Sequence, residues 1–208
     1  MSAARLYLVC GAQSDEFLAA VLGAGVDLIQ LRMKDAPDAD IVATGRRFAR
    51  ATERFGALFI LNDRPDLVAP AGADGVHVGQ DDMAVEEVRA IVGSGRVVGL
   101  STHSPEQVDA AAGLEVDYIG VGPVHATPTK PGRPAVGLDL VRYGAEHATV
   151  PFFAIGGITP ENVAAVRQAG AERIAVVRAL TEAPDPAQAA RRLRQGISAA
   201  GEVRLGAA

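Results

Sequence analysis

The sequence has little cysteine, little lysine and no large excess of either charge. Cys10 is the single cysteine, so the chain has no intramolecular disulfide and no thiolate cage, which favours a reducing compartment. A net charge of -5 leaves no basic footprint for nucleic acid. No apolar run reaches the roughly 18 residues of a membrane span, and the first residues lack a cleavable signal pattern. We therefore expect a cytoplasmic protein that binds neither nucleic acid nor membrane.

The apolar residues form eight short runs separated by segments of helical period. Runs that are apolar throughout are typical of parallel strands covered on both faces. With 208 residues, 49% of them hydrophobic, the chain has room for one domain. We predict a single-domain (β/α)8 TIM barrel over residues 1–208, with 200–208 as a frayed tail, and the alternative is an open doubly wound sheet. The predicted strands are Leu6–Val9, Asp27–Arg32, Ala57–Leu61, Gly75–Val78, Val97–Leu100, Tyr118–Val121, Phe152–Ile155 and Arg173–Val177.

Three helices carry start signals in which a capping side chain precedes a proline. The caps are Ser104, Thr159 and Asp185, and they predict the starts of the helices after the fifth, seventh and eighth strands. In a barrel, the chemistry lies where strands end and these helices follow. Polar residues at strand ends are therefore site candidates.

The second strand ends in an alternating set of polar residues. Gln30, Arg32 and Lys34 share one side of the strand, because alternate residues point the same way. A single such residue is usually an ordinary polar residue leaving the sheet, but three in alternation favour a binding site. Among the twenty basic residues only Lys34 and Lys130 are lysines, and both follow predicted strands.

Carboxylates follow the third and fourth strands. Asn62 and Asp63 end one strand, and Asp81 and Asp82 follow the next. Magnesium takes a few carboxylate oxygens and completes its shell with water and phosphate oxygens, so Asp63 with Asp81 or Asp82 predicts a Mg²⁺ site. Taken alone, Asp82 could equally cap the next helix. His77, inside an apolar strand, is interpreted as a hydrogen-bonded core histidine.

The later strands add hydroxyls, cations and glycines. Ser101 ends the fifth strand, where its hydroxyl is a candidate phosphate contact. The loop 122–134 contains two threonines, three cationic or titratable groups and four prolines, which predicts a stiffened lid. Gly156 and Gly157 follow the seventh strand, where barrels commonly bind phosphate through backbone N–H groups. Two phosphorylated substrates fit this inventory, with catalysis by positioning and charge stabilisation.

Seven motifs in order along the chain resemble the thiamine-phosphate synthase family: QLRMK, LNDR, GVHVGQDD, GLSTHS, GPVHATPTKPGRPAVG, FAIGGI and AVVRA. The resemblance implies a transferase that moves a hydroxymethylpyrimidine group from its diphosphate to the nitrogen of thiazole phosphate. Thiamine phosphate and pyrophosphate are the products, and pyrophosphate leaves first. The family pattern leaves the oligomeric state open, including a homo-oligomer.

The resemblance also assigns residues. It implies that Asp63 and Asp82 bind Mg²⁺ and that Asp81 is either a bystander or a residue of the second coordination sphere. Arg32, Lys34, Ser101 and Lys130 become catalytic residues. The pyrimidine diphosphate falls to Gln30, Arg32, Lys34, Asn62, Ser101 and Lys130, and the thiazole phosphate to Thr127, Thr129, Gly157, Val177 and Arg178.

Two positions depart from the family pattern, and three alternatives to the synthase remain. Arg178 stands where serine is common, and either binds phosphate or pairs on the surface, while His125 replaces an aromatic residue and either stacks on a ligand or packs. A regulator or a thiazole tautomerase of the same fold family are two alternatives. A Schiff-base aldolase that uses Lys130 is the third.

Overall fold

The computed structural model describes residues 3–126 and 135–198, and within them eight parallel strands close into a barrel. Each strand pairs with the next along the chain, and the last pairs with the first, Leu6 lying opposite Ile174. The predicted (β/α)8 barrel is confirmed, and the open doubly wound sheet is wrong. The strands are β1 (Leu6–Cys10), β2 (Leu28–Leu31), β3 (Leu58–Asn62), β4 (Gly75–Val78), β5 (Val97–Thr102), β6 (Tyr118–Val121), β7 (Phe152–Ile155) and β8 (Ile174–Val176).

Nine α-helices alternate with these strands in the part of the chain that the structure describes. None of them is long and apolar enough to cross a membrane. The predicted frayed tail, 200–208, lies outside the described residues. The helices are α1 (Asp15–Gly23), α2 (Asp38–Phe55), α3 (Val68–Ala71), α4 (Val85–Val92), α5 (Pro105–Ala110), α6 (Gly137–His147), α7 (Val163–Gln168), α8 (Arg178–Thr181) and α9 (Pro186–Ser198).

All three predicted capping side chains accept a backbone N–H, but only two of them stand directly before a helix. The Ser104 hydroxyl accepts a hydrogen bond from the Gln107 amide, and the Asp185 carboxylate accepts one from the Gln188 amide. The Thr159 hydroxyl likewise accepts the Glu161 N–H at 3.3 Å, but the helix start predicted there is wrong, since α7 begins at Val163. The Asn162 side chain accepts the Thr159 N–H at 2.8 Å, which closes a turn before the helix starts. A short helix, α8, follows β8 directly and was not predicted.

The strands separate two packed cores. One set of alternate strand residues packs with the helices in a large outer core. The other set fills the barrel with a smaller core centred on Tyr7, Tyr118 and Phe153. These three rings meet edge to face with centroids 5.3–5.8 Å apart. The aromatic layer forms the floor on which the site is built.

Three aspartates repeat one contact at the N-terminal end of the barrel. Each precedes an even-numbered strand and accepts a backbone N–H near the start of the strand before it. Asp27 accepts from Leu6 at 3.0 Å, and Asp117 accepts from Val98 at 2.7 Å. Asp74 makes the third such bond. Each carboxylate satisfies a backbone N–H of the neighbouring strand. The three aspartates therefore tie the starts of neighbouring strands together.

Candidate active site

A cavity opens at the C-terminal ends of the strands, and most of the predicted site residues line it. Its floor is the aromatic layer, and its rim carries polar residues from strands all round the barrel. The sequence-based expectation that strand-end polar residues converge is therefore confirmed for those that the structure describes. The predicted residues in its wall are Gln30, Arg32, Lys34, Asn62, Asp63, Asp82, Ser101, Gly157, Val177 and Arg178.

Three other predicted residues, Thr127, Thr129 and Lys130, lie outside the described residues. Asp81 does not line the cavity.

Gln30, Arg32 and Lys34, the alternating residues at the end of β2, all line the cavity. Gln30 is 3% exposed and donates a hydrogen bond to the Tyr7 hydroxyl. Arg32 follows the strand and is half-buried. The Lys34 ammonium lies 3.6 Å from a carboxylate oxygen of Asp63. An amide at the floor and two cations at the rim thus stand on one side of the cavity.

Asp63 is held in an unusual backbone conformation. Its φ of +59° is in the left-handed region, which a residue other than glycine adopts at a cost. Its N–H donates to the His77 carbonyl at 2.9 Å, and its carboxylate accepts from the Asn62 amide at 2.6 Å. The strand end of β3 therefore turns so that this carboxylate faces the rim.

The carboxyl groups of Asp63 and Asp82 lie close enough for Asp82 to act on the pKa of Asp63. Burial raises the pKa of the Asp63 carboxyl, and the hydrogen bond and charge of Asp82 raise it further, against the opposing effect of Lys34. Asp82 is fixed by the Gly79 N–H, which donates to it at 2.7 Å. Two like charges placed together lose stability unless a proton or a cation joins them.

Asp82 is not a helix cap. The N-terminal cap position of α4 is Ala84, which offers no side-chain hydrogen bond. The Asp82 carboxylate turns back to Gly79 instead, so the capping alternative is wrong. An alanine Cβ at Gly79 would lie 2.8 Å from that carboxylate, so the glycine makes room for it.

The donor set fits a hard divalent cation. Two carboxylates at a polar rim, with the remaining positions open to water and phosphate oxygens, are the ligands that Mg²⁺ prefers. Within residues 3–126 and 135–198 no group of three or more His, Cys, Asp or Glu side chains is placed to hold a metal. A cation bound by Asp63 and Asp82 would therefore need oxygens from a ligand.

Arg64 holds the loop that follows Asp63. Its guanidinium bonds the Asp38 carboxylate at the start of α2 and the Asp66 carboxylate on its own loop. Arg64 lowers the pKa of both carboxyls, because it stabilises their charged forms. These ion pairs connect the loop after β3 to α2, and Arg64 itself does not line the cavity.

Ser101 lies at the edge of the floor and is 9% exposed. Its hydroxyl is 2.9 Å from His77 Nε2, and its carbonyl accepts from the Gln80 amide at 2.7 Å. His77 bonds the Tyr118 hydroxyl through its other nitrogen. The interpretation of His77 as a hydrogen-bonded histidine agrees with these contacts, although the residue also lines the cavity.

The glycine turn after β7 packs tightly against the loop after β6. Gly156 and Gly157 have φ of +108° and +62°, and added Cβ atoms would overlap Pro123 and His125. The two glycines therefore permit both the positive φ of the turn and its close packing on the loop after β6. Val177 and Arg178 lie beside this turn in the cavity wall.

Comparison with known proteins places the chain in a family. The thiamine monophosphate synthase family profile matches residues 6–180, which include all eight strands. The chain belongs to this family. A thiamine-phosphate synthase of Acidothermus cellulolyticus is 50% identical over 204 residues, covering 95% of this chain and 96% of the relative. One from Thermus thermophilus is 49% identical over 201 residues, covering 93% and 97%.

A solved structure agrees with these relatives. Thiamine phosphate pyrophosphorylase from Pyrococcus furiosus superposes with a TM-score of 0.85 at 32% identity, covering 93% of this chain and 95% of that one. The predicted family resemblance is confirmed, and with it the assignment to the transferases of thiamine biosynthesis.

The two departures from the thiamine monophosphate synthase pattern have different surroundings. The exposed Arg178 begins α8 and lines the cavity, and its ion pair among the described residues is a long one, 3.9 Å to Glu182. The His125 amide donates to Gly156, and its side chain packs on Gly157 outside the cavity wall. His125 therefore packs on the glycine turn, and stacking of its ring on a ligand stays a prediction.

The sequence analysis did not predict several of the residues that line the cavity. They include Tyr7, Tyr118 and Phe153 in the floor and His103 at the rim. Tyr7 and Tyr118 resemble core residues because they lie inside apolar runs. The alternation of residues along β6 could have indicated that Tyr118 faces the barrel interior, since Tyr118 and Gly120 point the same way.

Proposed function

We propose that the protein joins hydroxymethylpyrimidine diphosphate to thiazole phosphate and releases thiamine phosphate and pyrophosphate. The observation that carries the proposal is a single cavity with two unlike sides. Cations and two neighbouring carboxylates follow β2 to β4, and a glycine turn with Arg178 follows β7 and β8 across the barrel. One side suits a diphosphate with a cation, and the other suits a monophosphate.

The pyrimidine diphosphate is assigned to the side of β2, β3 and β5. Gln30 and Ser101 stand at the floor, where a flat ring would meet the aromatic layer. Arg32 and Lys34 stand at the rim, where they neutralise phosphate oxygens. Asn62 and Lys130 complete the proposed set, the latter outside the described residues.

Asp63 and Asp82 would hold Mg²⁺. When bound, Mg²⁺ supplies charge that stabilises the leaving pyrophosphate. The proximity of the two carboxylates, which raises the pKa of Asp63, supports this role because a cation relieves the same repulsion. Lys34, 3.6 Å from Asp63, keeps a second positive charge beside them.

The reaction breaks the bond between the pyrimidine methylene carbon and the diphosphate oxygen. The bonding electrons leave with pyrophosphate, whose growing negative charge Arg32, Lys34 and Lys130 stabilise. The thiazole nitrogen then donates its lone pair to the pyrimidine cation and forms the carbon–nitrogen bond. The protein's own contribution is to position the two substrates and to stabilise charge.

The thiazole phosphate is assigned to the opposite side. Gly157 and Val177 offer backbone N–H groups, and Arg178 offers a guanidinium whose ion pair within the described part of the chain is a long one. Thr127 and Thr129 would add hydroxyls from the loop outside the described residues. This placement directs the thiazole ring toward the pyrimidine across the floor.

Steady-state kinetics test the two subsites. Purified protein, both substrates and Mg²⁺ are expected to give thiamine phosphate and one equivalent of pyrophosphate, and a regulator or tautomerase would give neither. Lys130→Ala should impair use of the pyrimidine diphosphate more than binding of thiazole phosphate, and Arg178→Ala should do the reverse. Arg142→Ala, an exposed helix position on α6, is the control. The opposite pattern would mean that the subsites are exchanged.

A further inference from the structure

A row of five side chains crosses the barrel floor, each hydrogen-bonded to the next. Gln30 Nε2 lies 2.5 Å from the Tyr7 hydroxyl, which lies 2.8 Å from the Tyr118 hydroxyl. The row continues through His77 Nδ1 at 3.0 Å and ends with His77 Nε2 at 2.9 Å from Ser101. The proposed function uses only the two ends of the row, so its three middle members have no role yet.

The hydrogen bonds of the row must all run in one direction. An amide nitrogen only donates, so the Tyr7 oxygen accepts from Gln30. Either phenol could donate in the next bond, but only donation from Tyr7 to Tyr118 uses the Tyr7 proton within the row. Tyr118 has then accepted once and donates its own proton to His77 Nδ1. The histidine proton must therefore sit on Nε2.

This direction decides what the two ends present to a ligand. The His77 Nε2–H donates to the Ser101 oxygen, which leaves the serine proton free to be donated into the cavity. At the other end, the Gln30 amide nitrogen faces Tyr7, so its carbonyl oxygen is the group left to accept. The floor thus offers one acceptor and one donor.

The middle of the row is rigid. Tyr7 and Tyr118 are 2% and 0% exposed, and both rings pack edge to face on Phe153. Gly99 on β5 provides the space for Tyr118, since an added Cβ would lie 2.1 Å from its ring. Neither phenol can turn to another partner without disturbing the barrel core.

We propose that Tyr7, Tyr118 and His77 are positioning residues that make Gln30 an acceptor and Ser101 a donor for the ring of the bound pyrimidine. The inference rests on the proposed function and deepens it. A heterocycle with an amino group and an unprotonated ring nitrogen complements this pair, whereas one with the reversed pattern of donors and acceptors does not.

Nitrogen NMR tests the direction of the row without any substrate. In ¹⁵N-histidine-labelled wild-type protein at neutral pH, His77 should be the neutral tautomer with its proton on Nε2. His77→Gln identifies the resonance among the four histidines. A proton on Nδ1 would mean that the row runs from Ser101 to Gln30, and would overturn the inference.

Kinetics test the consequence for the substrate. Tyr118→Phe keeps the ring and removes the hydroxyl, so His77 should lose its single tautomer. The KM for the pyrimidine diphosphate should rise about three- to tenfold, the factor of one neutral hydrogen bond, with the KM for thiazole phosphate unchanged. Tyr143→Phe, which removes an exposed hydroxyl bonded to Asp109, is the matched control.

Equal changes in both KM values, or values like those of Tyr143→Phe, would overturn the inference. Tyr7→Phe repeats the test if Tyr118→Phe does not fold. Absence of product from wild-type protein contradicts the proposed function and the pyrimidine part of the inference together. The wrong His77 tautomer in active protein contradicts the inference alone.

Discussion

Replacing Asp63 with Asn should abolish most activity and yet stabilise the metal-free protein. The Asp63 carboxyl lies close to Asp82, and burial and Asp82 together raise its pKa. Asn has nearly the same volume, tolerates the φ of +59° and can donate a hydrogen bond to Asp82. The substitution therefore removes the repulsion together with the metal ligand.

The sign of the stability change follows from the direction of the pKa shift. The folded protein holds the Asp63 proton to higher pH than the unfolded chain, so stability falls as pH rises from 3.8 through the raised value. Asp63→Asn does not lose stability in this way, because asparagine carries no titrating carboxyl. Because Asp82 is exposed, solvent screens the repulsion, and we expect a gain of about 1 kcal/mol at pH 7. For a chain of this size, that raises Tm by about 2–4 °C.

Thermal unfolding with EDTA and with Mg²⁺ measures both effects. Wild-type Tm should rise with Mg²⁺, because the ion binds only the folded state, and that of Asp63→Asn should not. Activity should fall at least about 100-fold, as expected when charge stabilisation of a leaving group is lost. Asp81→Asn, outside the cavity, is the control. Wild-type activity in Asp63→Asn would refute the metal assignment, and a lower Tm in EDTA would refute the repulsion.

Three further substitutions test the loops and the barrel. Gly79→Ala should displace the Asp82 carboxylate and raise the Mg²⁺ concentration for half-maximal activity about tenfold, and an unchanged requirement would contradict this placement. Arg64→Gln should lower Tm at pH 7, with the difference shrinking below pH 3.8 as its two aspartates protonate; a constant difference in a pH series would count against the ion pairs. Asp117→Ala should cost about 1–3 kcal/mol in urea unfolding by removing the partner of the Val98 N–H, and wild-type stability would show that the contact contributes nothing.

The barrel could be predicted because its strands are short apolar runs buried on both sides. The bounds of β4, β6 and β7 match the prediction, since Gly75 and Tyr118 each begin a run after an aspartate and Phe152 begins one after a proline. Helix starts were less certain, because they depend on local side-chain competition. The Thr159 hydroxyl accepts the Glu161 N–H and Asn162 accepts the Thr159 N–H, yet these residues form a turn and α7 begins only at Val163, a delay that no pattern in the sequence predicts.

The polar half of the site could be predicted, and the apolar half could not. Arg32, Asp63 and Ser101 could be predicted because polar residues at the ends of apolar barrel strands indicate a binding site. Tyr7 and Tyr118 do not, because an aromatic residue in a strand usually means packing, and only the closed barrel brings the two hydroxyls within 2.8 Å. The neighbouring carboxylates likewise depend on a positive φ that the sequence does not reveal.

A crystal structure with thiamine phosphate, pyrophosphate and Mg²⁺ tests the two-sided cavity most directly. We expect the pyrophosphate and the ion against Asp63, Asp82 and Arg32, and the phosphate of the product against Gly157 and Arg178. Pyrophosphate at the glycine turn, or an ion that contacts neither aspartate, would contradict the account.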